Sequence, residues 1–199
     1  MKVWTAIHYE LSTTNPFNLD SLKFYVIHSQ NYKTRVYRTN YSTHLFTMQI
    51  NWILKSYDSL TLDELYQLLQ LRNEVFIVEQ NCPFNDLDGK DQYCHHLMGV
   101  AIGSPSLIAY TRLVPPGVSY EYPSIGRVVT APQVRRHRVG RALMQRSLEE
   151  MARLYGEGSI QIGAQLYLKD FYESFGFVQE GAMYLEDGIE HIHMIRNGK

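Results

Sequence analysis

Residues 125–149, IGRVVTAPQVRRHRVGRALMQRSLE, decide the fold. Ile125 to Thr130 read as a short buried strand, and Pro132 breaks it because proline brings no N–H to a ladder. A basic loop, Gln133 to Arg138, follows. Val139, Leu143, Leu148, Met151 and Leu154 then recur at core spacing and predict a helix from Val139. The first N–H groups of a helix have no internal partner, and its dipole puts partial positive charge there. An anion, most often a phosphate, sits on such donors. Arg135, Arg136, Arg138 and Arg141 surround the same point, enough for more than one negative charge. From these residues alone, a solvated basic helix start is the plain alternative.

Working outward, Ile50 to Ser56 reads as a first strand. Thr61 and Glu64 form a capping box for a helix that ends near Gln80. Leu62, Leu65, Tyr66, Leu68, Leu69, Val75, Phe76 and Val78 are expected on its core face. Cys94 to Ile102 and Leu107 to Val114 read as an antiparallel pair. Beyond the central helix, which Gly156 to Gly158 ends, Ser159 to Ala164 alternates like a strand and Leu166 to Phe175 reads as a short helix. Phe177 to Leu185 and His191 to Ile195 close the chain around the turn Glu186-Asp187-Gly188. The order β-α-β-β-β-α-β-α-β-β predicts a mixed α/β (α+β) domain over 48–199. Residues 1–47, rich in Ser, Thr, Asn and Tyr, are expected to be a poorly packed N-terminal extension without chemistry. Their few acids and several bases also fit a targeting segment.

Composition narrows the classes. Of 199 residues, 45% are hydrophobic and 20% charged, as in an ordinary globular chain that buries a core. The formal net charge of −1 gives no nucleic-acid signature, so the arginines near 135 are a local feature. Two cysteines, Cys82 and Cys94, read as free thiols in a reducing compartment, hence a cytoplasmic protein. No apolar run spans a membrane. Asp86, Asp88 and Asp91 with Gly89 lack the other ligand positions of a calcium loop and read as a solvated acidic loop. Cys82, Cys94, His95 and His96 match no zinc spacing, and His95 and His96 would face opposite sides of a strand. No metal is expected.

In order and motifs the chain resembles the GNAT N-acetyltransferase superfamily. More narrowly, FIVEQNCPFNDLDGKD (76–91), IGRVVTAP (125–132) and FYESFGF (171–177) are similar to its ElaA-like group. The resemblance covers roughly residues 50–197. It implies a central, mostly antiparallel twisted sheet flanked by helices, with a V-shaped split between the fourth and fifth strands that takes acetyl-CoA. Val128 and Val129 would offer backbone groups to the pantetheine arm. Arg135, Arg136, Arg138, Val139 and Gly140, with Arg141, would hold the pyrophosphate and the nearby ribose phosphate. Arg138 stands where the family pattern usually has glycine. Gln165 would contact the pantetheine region. Tyr172, in Tyr-x-x-x-Gly-Phe, would protonate the departing thiolate.

The resemblance thus implies an acetyl-CoA-dependent transferase acting on a small-molecule or protein amine, with no metal, no nucleic acid and no membrane partner, and with a homodimer as one family arrangement. Direct transfer needs no enzyme nucleophile. The amine must lose a proton, and the candidate bases are Glu79, at the end of the first helix, and His191 or His193 on the last strand. Arg127 and His96 are candidates for the acceptor pocket, and the acidic loop points to a cationic acceptor. One other class stays open at this level, a catalytically silent acyl-CoA-binding module; the neutral net charge and the lack of interleaved aromatics argue against a third, a nucleic-acid binder using the arginines.

Overall fold

A computed structural model describes residues 49–103 and 106–198. The expected extension over 1–47 lies outside the described residues. The elements are β1 (Ile50–Ser56), α1 (Leu62–Arg72), a π-helical segment (Asn73–Glu79), β2 (His95–Ala101), β3 (Leu107–Val114), β4 (Ser124–Thr130), α2 (Val139–Tyr155), β5 (Ile160–Gln165), α3 (Lys169–Glu173), β6 (Val178–Glu186) and β7 (Ile189–Arg196). Apart from the π-helical turn and short 3-10 turns, this is the predicted order. The seven strands form one sheet in the order β1-β2-β3-β4-β5-β7-β6. Every neighbouring pair is antiparallel except β4 and β5.

The core sits at the sheet centre. β3 is buried at all eight positions, so both of its faces are covered. α1 and α2 each pack on β3 and β4. The α2 contribution is a stripe of Val139, Leu143, Met144, Ser147 and Met151, the period of an amphipathic helix. The capping box of α1 is present: Glu64 N–H donates to Thr61 Oγ1 at 3.2 Å, and Thr61 N–H donates to Glu64 Oε2 at 2.8 Å.

Past Arg72 the helix widens. Gln80 N–H donates to Val75 O and Cys82 N–H to Ile77 O, both five residues back. Such π turns often mark functional sites because they re-aim one helix face. Here Phe76 and Gln80 turn toward a cleft while Val75 stays in the core. The expected core face is corrected accordingly: Leu62, Tyr66 and Val78 are exposed, and Arg72 is buried in the stripe with Leu68, Leu71 and Val75.

That buried arginine explains a second correction. The loop carrying Asp86, Asp88 and Asp91 is not a solvated acidic loop. Arg72 Nε donates to Asp86 Oδ2 at 2.8 Å, and Arg72 Nη1 to Asp91 Oδ1 at 2.9 Å. Arg112, from β3, binds Asp88 through both terminal nitrogens at 2.7 Å and reaches Asp91 at 2.9 Å. Arg127, from β4, binds Asp86 at 2.7 Å. Three cations meet three anions, which is how buried charge is tolerated. Burial alone would raise the Asp88 and Asp91 carboxyls; the bonds and charges of Arg112 and Arg72 outweigh it and hold both below the usual carboxylate range.

Two irregularities shape the sheet. β4 and β5 share one registered pair, Ser124 opposite Gln161, and part beyond it, as the expected split requires. β4 also carries a bulge: Tyr110 faces Val129 and Arg112 faces Gly126, so Arg127 and Val128 together oppose Thr111. Arg127 takes a left-handed φ of +52°, and Thr111 Oγ1 donates to Gly126 O at 3.0 Å. The Asp86 contact to Arg127 therefore pins the loop to the bulge.

Candidate active site

Where β4 and β5 part, a cleft of about 140 Å³ opens. Phe76, Gln80, Cys82 and Phe84 form one wall, the β4 bulge from Ile125 to Val128 another, and Gly163 to Gln165 of β5 the third. Leu168 and Tyr172, together with Glu186, Asp187, Ile189 and His191 from the β6–β7 hairpin, complete the lining, and Gln165 pairs directly with His191. A larger open groove of about 530 Å³ lies at the opposite ends of β4 and β5, lined by residues such as Tyr122, Gln161 and Gln179, away from these groups.

Tyr172 is placed by its own motif. Gly176, at φ +85°, stops α3 in the left-handed conformation, and Phe177 N–H donates back to Tyr172 O at 3.3 Å. Phe177 is buried and meets the Tyr172 ring edge-on, with Phe171 on its other side. Tyr172 is itself only 7% exposed, and burial raises its phenol well above the ordinary value. The hydroxyl keeps its proton at neutral pH, as an acid must.

His191, also lining the cleft, places Nδ1 2.9 Å from Ile189 O. A carbonyl only accepts, so Nδ1 carries a proton, and the lone pair of the corresponding tautomer lies on Nε2. His191 stacks on Tyr184, whose other neighbour is His193. Gln165 reaches the cleft too, but its amide exchanges bonds with Gln80 at 3.2 and 3.4 Å.

The basic loop adjoins this end of β4. Arg138 caps α2 in the left-handed region, φ +62°, with no side-chain cap bond. That conformation favours glycine and accounts for the residue the family pattern usually has there. Arg136 also has positive φ, +67°. Both are exposed, and neither is ion-paired among the described residues. At Gly140 an added Cβ would meet only Thr130 Cγ2, at 4.0 Å, so the protein leaves space beside the helix start. Arg141 donates to Ser174 Oγ at 2.9 Å and lies over Phe175, tying α2 to the end of α3. Val139 is buried and anchors the turn, while Val128 and Val129 lie on the parted strand.

Two predicted residues stand elsewhere than expected, and a third is already engaged. Glu79 is held by Arg135 in a two-pronged ion pair at 2.6 and 2.8 Å, which engages both carboxylate oxygens. His96 is fully buried and does not line the cleft: it bonds the Tyr110 hydroxyl at 2.9 Å and Asp91 O at 3.1 Å. Arg127 does line the cleft, already paired to Asp86. Sequence reasoning passed over Gln80, Phe84 and Glu186; the positions of the first two follow from the π turn and the arginine-bound loop. Both thiols are buried hydrogen-bond donors, Cys82 to Asp187 O at 3.5 Å and Cys94 to Lys90 O at 3.0 Å. Burial pushes the Cys94 thiol up to about 11.

The family model for the acetyltransferase (GNAT) domain matches residues 106–197, from β3 through β7. Protein ElaA of Escherichia coli is 40% identical over 149 residues, 74% of this chain and 96% of its own. The chain belongs to the ElaA group of the GNAT superfamily. A UPF0039 protein of Synechocystis is 39% identical over 148 residues, again 74% of this chain and 96% of its own. The crystal structure of an acyl-CoA N-acyltransferase from Pseudomonas aeruginosa superposes with a TM-score of 0.70 at 43% identity, covering 74% of this chain and 99% of that one. The crystal structure of E. coli ElaA gives 0.70 at 38% identity, over 75% and 100%. Membership makes acyl transfer from an acyl-CoA the activity of this fold. Among the described residues no helix is long and apolar enough to cross a membrane.

Proposed function

We propose that this chain transfers an acetyl group from acetyl-CoA to a primary amine by direct attack. The observation that carries the reading is one cleft, at the parting of β4 and β5, that gathers a bulged strand, a protonated buried tyrosine and a histidine with a free Nε2. The fit to acetyl-CoA rests on the uncapped, basic start of α2 and the open space at Gly140. Arg136, Arg138 and Arg141 and the first N–H groups of α2 bind the phosphates. Val128 and Val129 present backbone groups to the pantetheine arm, and Gln165, steadied by Gln80, borders it.

His191 takes a proton from the ammonium through Nε2, freeing the amine lone pair. A backbone N–H at the bulge stabilises negative charge on the thioester oxygen. Tyr172 gives its proton to the departing sulfur. Of the two protons lost from nitrogen, one reaches bulk water through His191, and the other balances the proton on the thiol. Glu79, engaged by Arg135, steadies the loop rather than acting as base.

The test is an amine panel assayed for CoA release, with Tyr172→Phe alongside wild type. Turnover falls about 10²–10⁴-fold, and acetyl-CoA affinity by calorimetry stays within threefold. Undiminished turnover in Tyr172→Phe removes the acid role. Wild type that binds acetyl-CoA but acetylates no amine defeats the enzyme reading.

A further inference from the structure

The charge of the acceptor end of the cleft is unbalanced in one direction. Arg127 is neutralised there by Asp86 and Asp88, which share in the three-against-three arginine network. Once those pairs cancel, the remaining formal charges on the lining are Glu186 and Asp187, on the β6–β7 hairpin. Neither makes an ion pair among the described residues. The rest of the lining includes the apolar side chains Phe76, Phe84, Ile125, Leu168 and Ile189.

A polar group of tyrosines borders the same carboxylates. A Cβ at Gly163 would come 2.8 Å from the Tyr120 hydroxyl and 3.2 Å from that of Tyr184, so both hydroxyls converge over this glycine of β5. Burial, then the neighbouring Tyr120 and Glu186, pushes the Tyr184 phenol up to about 12. Burial and then Glu186 likewise raise Tyr120. These groups offer hydroxyls beside a carboxylate and no uncommitted cation.

We infer that Glu186 recognises the acceptor, and that the acceptor is a cationic amine with no carboxylate beside its amino group. This rests on the N-acetyltransfer reading of the same cleft. An ammonium entering between the aromatic wall and the hairpin is drawn to Glu186 and delivered to His191, which lines the same cleft. A carboxylate on the adjacent carbon meets Glu186 and Asp187 instead, with Arg127 already committed. Selectivity of this kind comes from repelling the wrong substrate as much as from holding the right one. Glu186 is exposed at the end of β6, so replacing it leaves the core untouched.

The test compares matched acceptors: phenethylamine with phenylalanine, and tyramine with tyrosine, under saturating acetyl-CoA. Wild type favours each amine over its amino acid by at least about tenfold in kcat/KM, the scale of one like-charge contact at partial exposure. Glu186→Gln raises KM for the amines about tenfold, changes kcat less than about threefold, and narrows the amine-to-amino-acid ratio. Equal or better use of the amino acids by wild type, or an unchanged KM and ratio in Glu186→Gln, overturns the inference and leaves N-acetyltransfer standing. If wild type binds acetyl-CoA and acetylates none of the four, the parent reading fails and this one with it.

Discussion

Two groups of arginines in this chain have opposite surroundings. Arg72, Arg112 and Arg127 converge on Asp86, Asp88 and Asp91, and the first two are almost fully buried. Arg136, Arg138 and Arg141 stand exposed at the start of α2 and meet no carboxylate among the described residues; of that loop only Arg135 has one, Glu79. The residue type is the same, and the supply of anions decides what it does. Where the protein provides carboxylates, arginine becomes a rivet, holding a loop to α1, β3 and β4. Where it provides none, beside uncapped helix N–H groups, the cations stay open to solvent and to an anion from outside, which is what the proposed phosphate site needs.

Breaking the buried group has the largest expected effect. Arg72→Met removes one cation from between Asp86 and Asp91 and leaves carboxylates buried with fewer partners. Loss of one member of such a network costs about 3–5 kcal/mol. Urea unfolding should read that loss, with acceptor KM also rising because Phe84 and Cys82 sit on the released loop. A loss under about 1 kcal/mol would mean the network behaves like surface ion pairs.

The exposed group should answer in the other currency. Arg136→Ala with Arg138→Ala leaves unfolding free energy within about 1 kcal/mol and weakens acetyl-CoA about ten- to hundredfold. The residual affinity should depend less on ionic strength, since two screened contacts are gone. Calorimetry at low and high salt checks both. Unchanged affinity would return the loop to a solvated helix start.

Acid separates the groups without mutation. His96 is buried as a neutral ring using both nitrogens, and burial depresses its pKa. Below about 6.5 the unfolded chain takes up a proton that the folded one refuses, so stability falls as pH drops through that value. Asp88 and Asp91 are depressed as carboxyls, so their stabilisation is full above about 4 and is lost as pH falls toward their folded pKa. Melting temperature should decline in two stages, and His96→Gln should shrink the first, to which His95, also depressed by burial, contributes. A melting curve flat from pH 7 to pH 5 would contradict the buried-histidine stage.

The local elements were legible because each is written in near neighbours. The Thr61–Glu64 box links residues three apart, the Tyr172–Phe177 motif residues five apart, and the strand-loop-helix is contiguous. The acidic loop was misread because its partners lie 14, 24 and 41 residues away, beyond any periodicity. A signal existed all the same. Arg72 falls on the apolar stripe of its helix, and Arg112 interrupts the run LIAYTRLV; a charge at a core position calls for a buried partner. The Glu79–Arg135 pair, 56 residues apart, carried no such mark, which is why base and loop candidates turned out to hold each other.

Arg138 sharpens the comparison by the smallest amount, because backbone and side chain pull apart there. Its φ of +62° costs a non-glycine residue about 1–2 kcal/mol, and the side chain is tied down by no ion pair among the described residues. Arg138→Gly relieves that strain but frees the unfolded chain by roughly 0.5–1 kcal/mol. Net stability should rise by no more than about 1 kcal/mol. If phosphate binding relies on close backbone approach, the glycine variant binds acetyl-CoA as well as wild type. If it relies on the guanidinium, affinity drops about fivefold to tenfold while stability holds or improves. Only the second result would explain why a strained arginine stands at a position suited to glycine.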